Sequence, residues 1–177
     1  MNPEIFKQIS IRGRFAFGLK SLENIVQYHN IQNSLLDSII EDFWRFTNVD
    51  KPGALEDFFI TRNPFCILSD YPTVSVNPEK MYEFGYDNIS LSQMKDFFEL
   101  YSALTKDITD ILANLSIIAN SNISAGCGEY SILTYEPTVK IIQIMNVYPL
   151  DTIPKPEDFL FSNFEQNHGW GNKFPRI

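Results

Sequence analysis

The sequence predicts an all-α fold, in which a single domain over residues 1–177 forms a helical bundle around a long central helix at about residues 90–120. Apolar residues recur at helical spacing through that stretch, and two further amphipathic stretches precede it. In addition, no strand with an obvious pairing partner precedes residue 130. Aromatic residues make up 14% of the chain, which is ample for a packed core and argues against disorder.

The central helix is predicted by a continuous apolar stripe. The gaps between its members alternate between three and four residues, which keeps them on one side of an α-helix. The stripe consists of Met94, Phe97, Tyr101, Leu104, Ile108, Ile111, Leu115 and Ile118. Ser90 and Gln93 can form a capping box at its start, and Ile89 with Met94 a hydrophobic staple. A coiled coil is the competing interpretation, which the irregular charges beside the stripe disfavour.

Two amphipathic helices are predicted ahead of the central one. The first covers about residues 12–28, and the second, which Asn33 or Ser34 can cap, runs to about Thr47. Gly18 lies inside the first helix, where it costs about 1 kcal/mol relative to Ala. A close approach to another helix would explain its presence.

The segment after the second helix is predicted to be less regular. Residues 50–53 read as a turn, and a short helix is expected at about residues 54–60. The Pro-rich stretch 61–86 is predicted to cross the bundle in an irregular conformation, because its three prolines forbid a long helix. A short strand at residues 73–76 would have nothing to pair with.

Residues 130–148 fit two structures. Val139, Ile142 and Met145 recur at helical spacing, and Pro137 would stand at the start of such a helix. The same run is rich in β-branched residues, so a minor β-hairpin is also possible. The lack of other convincing strands favours the helix. A loop at about residues 120–128 is predicted before this run.

An aromatic tail ends the chain. It contains four prolines, which exclude a long helix, and it is too aromatic to lie free in solvent. Its aromatic residues are Phe159, Phe161, Phe164, Trp170 and Phe174. We therefore expect the tail to pack over the helices.

The charge of the protein is unevenly distributed. The formal net charge is −8, and between Asp37 and Asp110 there are 14 acidic and 6 basic residues, which accounts for all of it. Such a surface repels nucleic acid and anionic membranes and attracts a basic partner. The simpler interpretation is that it only keeps the protein soluble. Arg12, Arg14 and Lys20 form a small basic stretch, which is expected to pair with the acidic middle segment.

Few residues suggest catalysis, and no catalytic group, metal or cofactor is predicted. Glu165 and His168 have the Glu-x-x-His spacing of carboxylate-bridged metal sites, but no second copy of that motif exists. Cys127 lies between two glycines, and nothing beside it in sequence would lower its pKa. With Cys66 it makes only two cysteines, too few for a disulfide framework. The N-terminal segment lacks an apolar run of signal-peptide length, so we expect a cytoplasmic protein.

Three stretches resemble a known group of proteins. They are Gly13–Glu23 (GRFAFGLKSLE), Phe43–Thr47 (FWRFT) and the closing Phe161–Phe174 (FSNFEQNHGWGNKF). In these stretches the chain resembles the small, mostly helical immunity proteins of bacterial polymorphic-toxin systems. The resemblance implies a non-catalytic protein that binds and neutralises a cognate protein toxin in the cytoplasm, for example a nuclease with a basic surface.

The clustering of acidic residues on and after the second helix suggests where such a partner would bind. The hypothesis assigns this surface to Asp37, Glu41, Asp42, Glu56 and Asp57. A second group in the tail, Phe161, His168, Gly169, Trp170 and Gly171, is interpreted as a structural anchor built on a buried indole. Two alternatives remain open. One is an enzyme that uses Cys127 or His168. The other is a structural or adaptor protein that self-associates through apolar helix residues left uncovered by the rest of the chain.

Overall fold

The computed structural model describes residues 1–51, 53–123 and 126–177, and the regular structure in them is helical. The α-helices are α1 (Ile11–Tyr28), α2 (Ser34–Trp44), α3 (Glu56–Ile60), α4 (Pro64–Val74), α5 (Lys80–Glu83), α6 (Leu91–Ala103), α7 (Lys106–Asn120) and α8 (Ile132–Met145). Short 3-10 turns lie at Pro3–Lys7, Arg45–Thr47, Leu150–Thr152, Pro156–Phe159 and Gln166–Gly169. The predicted all-α helical bundle is confirmed. The predicted turn position of Pro52 and part of the predicted loop 120–128 lie outside the described residues.

Side chains at the helix starts explain why the helices begin where they do. Ser10 Oγ accepts a hydrogen bond from Gly13 N at the start of α1, and Asn33 Oδ1 accepts from two backbone amides at the start of α2. The capping box of Ser90 and Gln93 at the start of α6 is confirmed. These oxygens satisfy backbone N–H groups that have no partner within the helix.

The centre of the bundle is α1, on which α7 and α8 both pack. Every residue from Ile11 to Leu19 is buried, so α1 is enclosed on all sides rather than along one stripe. α7 also packs against α8, and α4 packs against α6. One connected hydrophobic core runs from Phe6 to Phe174.

The prediction of one continuous central helix at about residues 90–120 is wrong. α6 ends at Ala103 and α7 begins at Lys106, with Leu104 and Thr105 extended at ψ angles of 156° and 152°. The apolar stripe continues across the break, but its two halves have different neighbours. α6 packs mainly against α4, whereas α7 packs mainly against α1 and α8 and also contacts α3 and α4. The break therefore allows each of the two helices to pack against its own main neighbours.

The irregular crossing predicted at residues 61–86 is also corrected, because it contains α4 and α5. Pro64 occupies the first turn of α4, where its missing N–H costs nothing. Pro72 lies near the C-terminal end of α4 and is exposed. The possible strand at residues 73–76 begins inside this helix.

Residues 132–145 form a helix, so the favoured of the two structures for this run is confirmed. Pro137 does not stand at its start but lies inside it. A proline there leaves the carbonyl of the residue four positions earlier without its helical donor. That carbonyl, on Leu133, lies 3.4 Å from Ser121 Oγ, whose hydroxyl also donates to Ile117 O at the shorter distance of 2.7 Å.

The tail packs over the helices, as expected. Phe159, Trp170 and Phe174 are buried. Backbone hydrogen bonds tie the tail to the body: Ser10 N donates to Ser162 O at 2.8 Å, and Phe174 N donates to Thr47 O at 3.1 Å. The tail thus joins the start of α1 to the end of α2.

The basic stretch does not pair with the acidic middle segment, so that prediction is wrong. Arg12 and Arg14 are buried in α1 and donate mainly to backbone carbonyls. Lys20 instead lies 3.0 Å from Glu23 on the same helix. Among the described residues, no helix has both the length and the apolar character needed to cross a membrane.

Candidate functional site

A groove of about 710 Å³ lies between α1 and α2. Its floor is apolar and includes Val26 from α1 and Ile40 from α2, both of which are buried. Ile31, in the connection between the two helices, also lines it. Four charged residues, namely Glu23, Asp37, Glu41 and Arg176, line the groove as well. The volume falls within the range of about 300–1,000 Å³ that is typical of ligand pockets.

Helical spacing places these side chains. Glu23 and Val26 are three residues apart on α1 and therefore share one face. Asp37, Ile40 and Glu41 are related in the same way on α2. A tight connection, in which Asn30 adopts a φ of 53°, turns the chain from α1 into α2. Each helix therefore contributes both an apolar and an acidic residue to the groove.

Glu23 is the most firmly held carboxylate of the groove. Its side chain is only 17% exposed, and Trp44 Nε1 donates to its Oε1 at 2.8 Å. Lys20 Nζ lies 3.0 Å from its other oxygen. Held in this way, the carboxylate presents a fixed negative charge at the side of α1.

Arg176 bridges the two helices. Its Nη2 donates to Glu23 Oε1 at 2.8 Å, and its Nη1 donates to Glu41 Oε2. Glu41 is far more exposed than Glu23, with 67% of its side chain accessible. Asp37 has no ion pair with any residue in the described part of the chain. Three carboxylates therefore line the groove against one guanidinium, and Lys20 adds a second positive charge beside Glu23.

Of the five predicted partner-binding residues, the structure brings two together in the groove, Asp37 and Glu41. Asp42 is half-buried and lies 3.6 Å from Nη1 of Arg45, the first residue of the 3-10 turn that follows α2. Glu56 and Asp57 are exposed in the first turn of α3 and do not line the groove. The predicted acidic surface therefore divides between two regions, of which only one is concave.

Sequence reasoning missed two of the four charged residues that line the groove, Glu23 and Arg176. Glu23 was missed because it lies on α1, outside the acidic middle segment. Its position next to the buried Leu22 could have identified it as a residue at the edge of a packed face. No local signal points to Arg176, because the fold of the whole tail decides where it lies.

The tail motif anchors the tail to the start of α1. The indole of Trp170 is buried, and the backbone carbonyls of Trp170 and Gly171 accept hydrogen bonds from the N–H and the guanidinium of Arg12. Gly171 has a φ of 77°, and a Cβ there would collide with Ser10 and Ser162. The motif therefore needs glycine both for its conformation and for space.

The remaining members of the motif differ in exposure. Gly169 is buried, with a φ of 92°, and a Cβ there would lie 2.8 Å from Phe164. Phe161 and His168 are exposed. His168 and the preceding Asn167 adopt left-handed conformations, so Glu165 and His168 do not share one regular α-helix as a Glu-x-x-His metal site would require.

The surroundings of Cys127 do not activate it as a nucleophile. Burial raises the pKa of the Cys127 thiol, and the guanidinium of Arg14 opposes this shift only in part. Neither its side chain nor that of His168 makes a hydrogen bond within the described residues. Among the same residues, no group of three or more potential metal ligands converges.

Similarity to known proteins assigns nothing further to the groove. Comparisons with known protein families, with curated proteins and with solved structures found no match. The shape of the groove, its charges and the fixed position of Glu23 are therefore the observations from which a function is argued.

Proposed function

We propose that this chain is a non-catalytic immunity protein, which binds and neutralises a cognate bacterial toxin, and that the α1–α2 groove receives a basic segment of that toxin. The observation that carries the proposal is a concave surface with an apolar floor and an excess of carboxylates, one of which is held in place by a buried tryptophan. In this proposal the protein acts in the cytoplasm.

The two parts of the groove would have different roles. The apolar floor supplies shape and a small gain in affinity, because Val26 and Ile40 are already buried and leave little apolar area to remove from water. The carboxylates of Asp37 and Glu41 attract a basic surface over a distance and raise the association rate. No chemistry is required of the protein, since blocking the active surface of a toxin is enough.

The groove would form the centre of a larger contact. A stable complex usually buries about 800 Å² on each partner, which is more than one groove provides. The exposed acidic residues of α3, Glu56 and Asp57, are candidates for an outer part of the contact. There, charges change the association rate more than the affinity.

Co-expression in a bacterial host tests the proposal. The product of the reading frame directly upstream is expressed alone, with the wild-type chain, and with a variant that carries Asp37→Lys and Glu41→Lys. We expect growth arrest by the upstream product, rescue by the wild-type chain, and loss of rescue in the groove variant. The matched control carries Glu79→Lys and Asp87→Lys, two exposed residues that line no part of the groove, so it changes the net charge equally and leaves the proposed contact intact.

The purified pair allows a sharper measurement. At low salt the groove variant should associate with the toxin at least about tenfold more slowly than the wild type, and the control variant should be affected less. If the upstream product is harmless, or if the wild-type chain does not rescue growth, the proposal is wrong. Equal effects of the two double variants would show that overall charge matters rather than the groove.

A second candidate function, an adaptor that self-associates, is favoured by the outer face of α8. Ile132 and Leu133 are about half exposed there. A shallow, mainly apolar groove of about 350 Å³ runs along the same helix, lined in part by Tyr135 and Val139. Sedimentation velocity over a concentration series tests this candidate, with Leu133→Lys as the variant that should abolish any dimer.

A further inference from the structure

We propose that the α1–α2 groove recognises an arginine side chain of its protein partner, and that Arg176 occupies this position in the free protein as an internal stand-in that the partner displaces. The inference deepens the proposed function and rests on it for the identity of the partner. The occupancy of the groove by a guanidinium of the same chain is the observation that leads to it.

The geometry around Arg176 suits a guanidinium in particular. Its two terminal nitrogens bind carboxylates on different helices, with Nη2 donating to Glu23 Oε1 at 2.8 Å and Nη1 donating to Glu41. A planar fork of donors can bridge two acceptors in this way, whereas the single ammonium of lysine acts as a point charge. The two carboxylates are therefore spaced for arginine.

The acceptor site does not depend on Arg176 for its position. Glu23 remains held by the indole of Trp44 and by Lys20 when the guanidinium leaves. Trp44 is itself only 3% exposed, so this support is part of the core. A second arginine would thus meet a carboxylate that is already in place, which lowers the cost of ordering the site.

Arg176 is attached in a way that allows displacement. Phe174 is the last buried residue, and it exchanges hydrogen bonds with Thr47. The three residues after it are exposed, and among the described residues the hydrogen bonds of that segment are those of the Arg176 guanidinium. The ion pair with Glu41 is exposed on both sides, and exposed pairs are weak and are screened by salt, whereas the pair with Glu23 is partly shielded from solvent.

The groove also offers more than Arg176 uses. Within the described residues Asp37 makes no ion pair, and the half-buried Ile31 offers apolar surface beside the ion pairs, above the buried Val26 and Ile40. An arginine with an apolar neighbour would therefore complement the groove in charge and in polarity. This combination commits the groove to a basic peptide segment of a protein.

The test uses the full chain, labelled with ¹⁵N, and the peptide acetyl-Pro-Arg-Ile-amide as the probe. The indole N–H resonance of Trp44 reports directly on the bond to Glu23. It is distinguished from that of Trp170, the only other tryptophan, by a Trp170→Phe sample. The matched control peptide replaces arginine by citrulline, which keeps the shape and removes the charge. Titrations are compared for the wild type, Arg176→Ala and a double variant that adds Glu41→Gln.

We expect Arg176→Ala to bind the arginine peptide about two- to fivefold more tightly than the wild type, because an exposed ion pair no longer competes. The added Glu41→Gln should abolish this gain, and the citrulline peptide should not bind. If Arg176→Ala binds the arginine peptide as tightly as the wild type or more weakly, Arg176 does not compete with the peptide, and the proposal that it is a stand-in is wrong. A purely structural Arg176 would give that result. Equal binding of the citrulline peptide overturns arginine recognition.

The outcome is separable from that of the proposed function. If the peptides bind as expected but the chain does not protect cells from the upstream product, the groove binds arginine and the toxin proposal fails. If protection depends on the groove while Arg176→Ala gains no affinity, the toxin proposal stands and the stand-in is rejected.

Discussion

Trp44 on α2 donates its indole N–H to Glu23 Oε1 on α1 across 2.8 Å, and this bond connects the core of the bundle to the candidate binding surface. Trp44 is buried, whereas Glu23 reaches the groove. A buried donor that faces a partly exposed carboxylate fixes the acceptor without enclosing it. The charge stays accessible, and the rotamer does not have to be ordered when a partner binds.

Two substitutions at Glu23 should have very different effects on stability. Glu23→Gln keeps an oxygen that can accept from Trp44, so we expect the free energy of unfolding to change by less than about 1 kcal/mol. Glu23→Leu leaves the buried indole N–H without an acceptor, which should cost about 1–3 kcal/mol. Urea-induced unfolding measures both values. Equal losses in the two variants would show that the hydrogen bond from Trp44 does not stabilise the fold.

Gly18 allows α1 to approach its two main neighbours. A Cβ at this position would lie 2.8 Å from Leu115 Cδ2 and 2.9 Å from Ile141 Cδ1. Both of those side chains are fully buried, so their methyl groups have little room to move aside. Overpacking of this kind costs about 1–3 kcal/mol. Alanine regains about 1 kcal/mol of helix propensity. We therefore expect Gly18→Ala to be net destabilising by about 1 kcal/mol.

Thermal unfolding measures this effect, and Gly126→Ala is the control, because a Cβ at Gly126 meets no atom of the described residues within 4 Å. It should leave the thermal midpoint nearly unchanged. If Gly18→Ala raises the midpoint instead, the contacts with Leu115 and Ile141 can relax, and helix propensity decides the outcome.

Helical periodicity was sufficient to predict the all-α bundle, but not its breaks. Leu104 and Thr105 interrupt the central stripe while the spacing of apolar residues continues, so the break is invisible to a count of intervals. The prolines led to the opposite error, because they predicted irregular structure or a helix start at positions that lie inside helices. Pro72 lies near the exposed C-terminal end of α4, and Pro137 lies inside α8, where the carbonyl that it frees is 3.4 Å from the hydroxyl of Ser121, just after α7.

The groove could be predicted only in part, because some of its residues are neighbours in sequence and others meet only in the folded chain. Asp37 and Glu41 are one turn apart in a local cluster of charge, and the sequence shows this directly. Glu23 and Arg176 meet them only through tertiary structure. The hydrogen bonds between Phe174 and Thr47 set the end of the tail beside α2, and no local pattern encodes that contact.

Arg14 should be among the least replaceable residues of the fold. It donates to Phe6 O at 2.9 Å, to Ser131 O at 3.0 Å and to Tyr130 O at 2.7 Å, and also to a threonine hydroxyl. Burial lowers the pKa of Arg14 to about 10, so the group remains charged at neutral pH. Lysine cannot supply the same fork of donors. We expect Arg14→Lys to lower the free energy of unfolding by more than about 3 kcal/mol, since several buried carbonyls lose their donors.

The control for Arg14 is Arg45→Lys, at an exposed residue whose only ion pair in the described chain is with Asp42 at 3.6 Å. Surface substitutions of this kind usually change stability by less than about 0.5 kcal/mol. Chemical denaturation of both variants at pH 7 gives the comparison. Similar losses would mean that the carbonyl contacts of Arg14 contribute little.

The thiol of Cys127 should react slowly, which separates a binding protein from a cysteine enzyme. Burial raises its pKa, so the thiolate fraction at pH 7 is below that of a free cysteine, whose pKa is about 8.5. The rate of alkylation by iodoacetamide is measured against pH in a Cys66→Ser background, because Cys66 is also a free thiol. We expect the midpoint to lie above that of a cysteine in an unfolded peptide, and the rate at pH 7 to lie below that of the same peptide. A midpoint below about 7 would identify an activated nucleophile and favour the enzyme alternative. If the thiol is inert, Cys127→Ser should also protect cells as well as the wild type does, because the proposed groove lies on α1 and α2 and has no role for a thiolate.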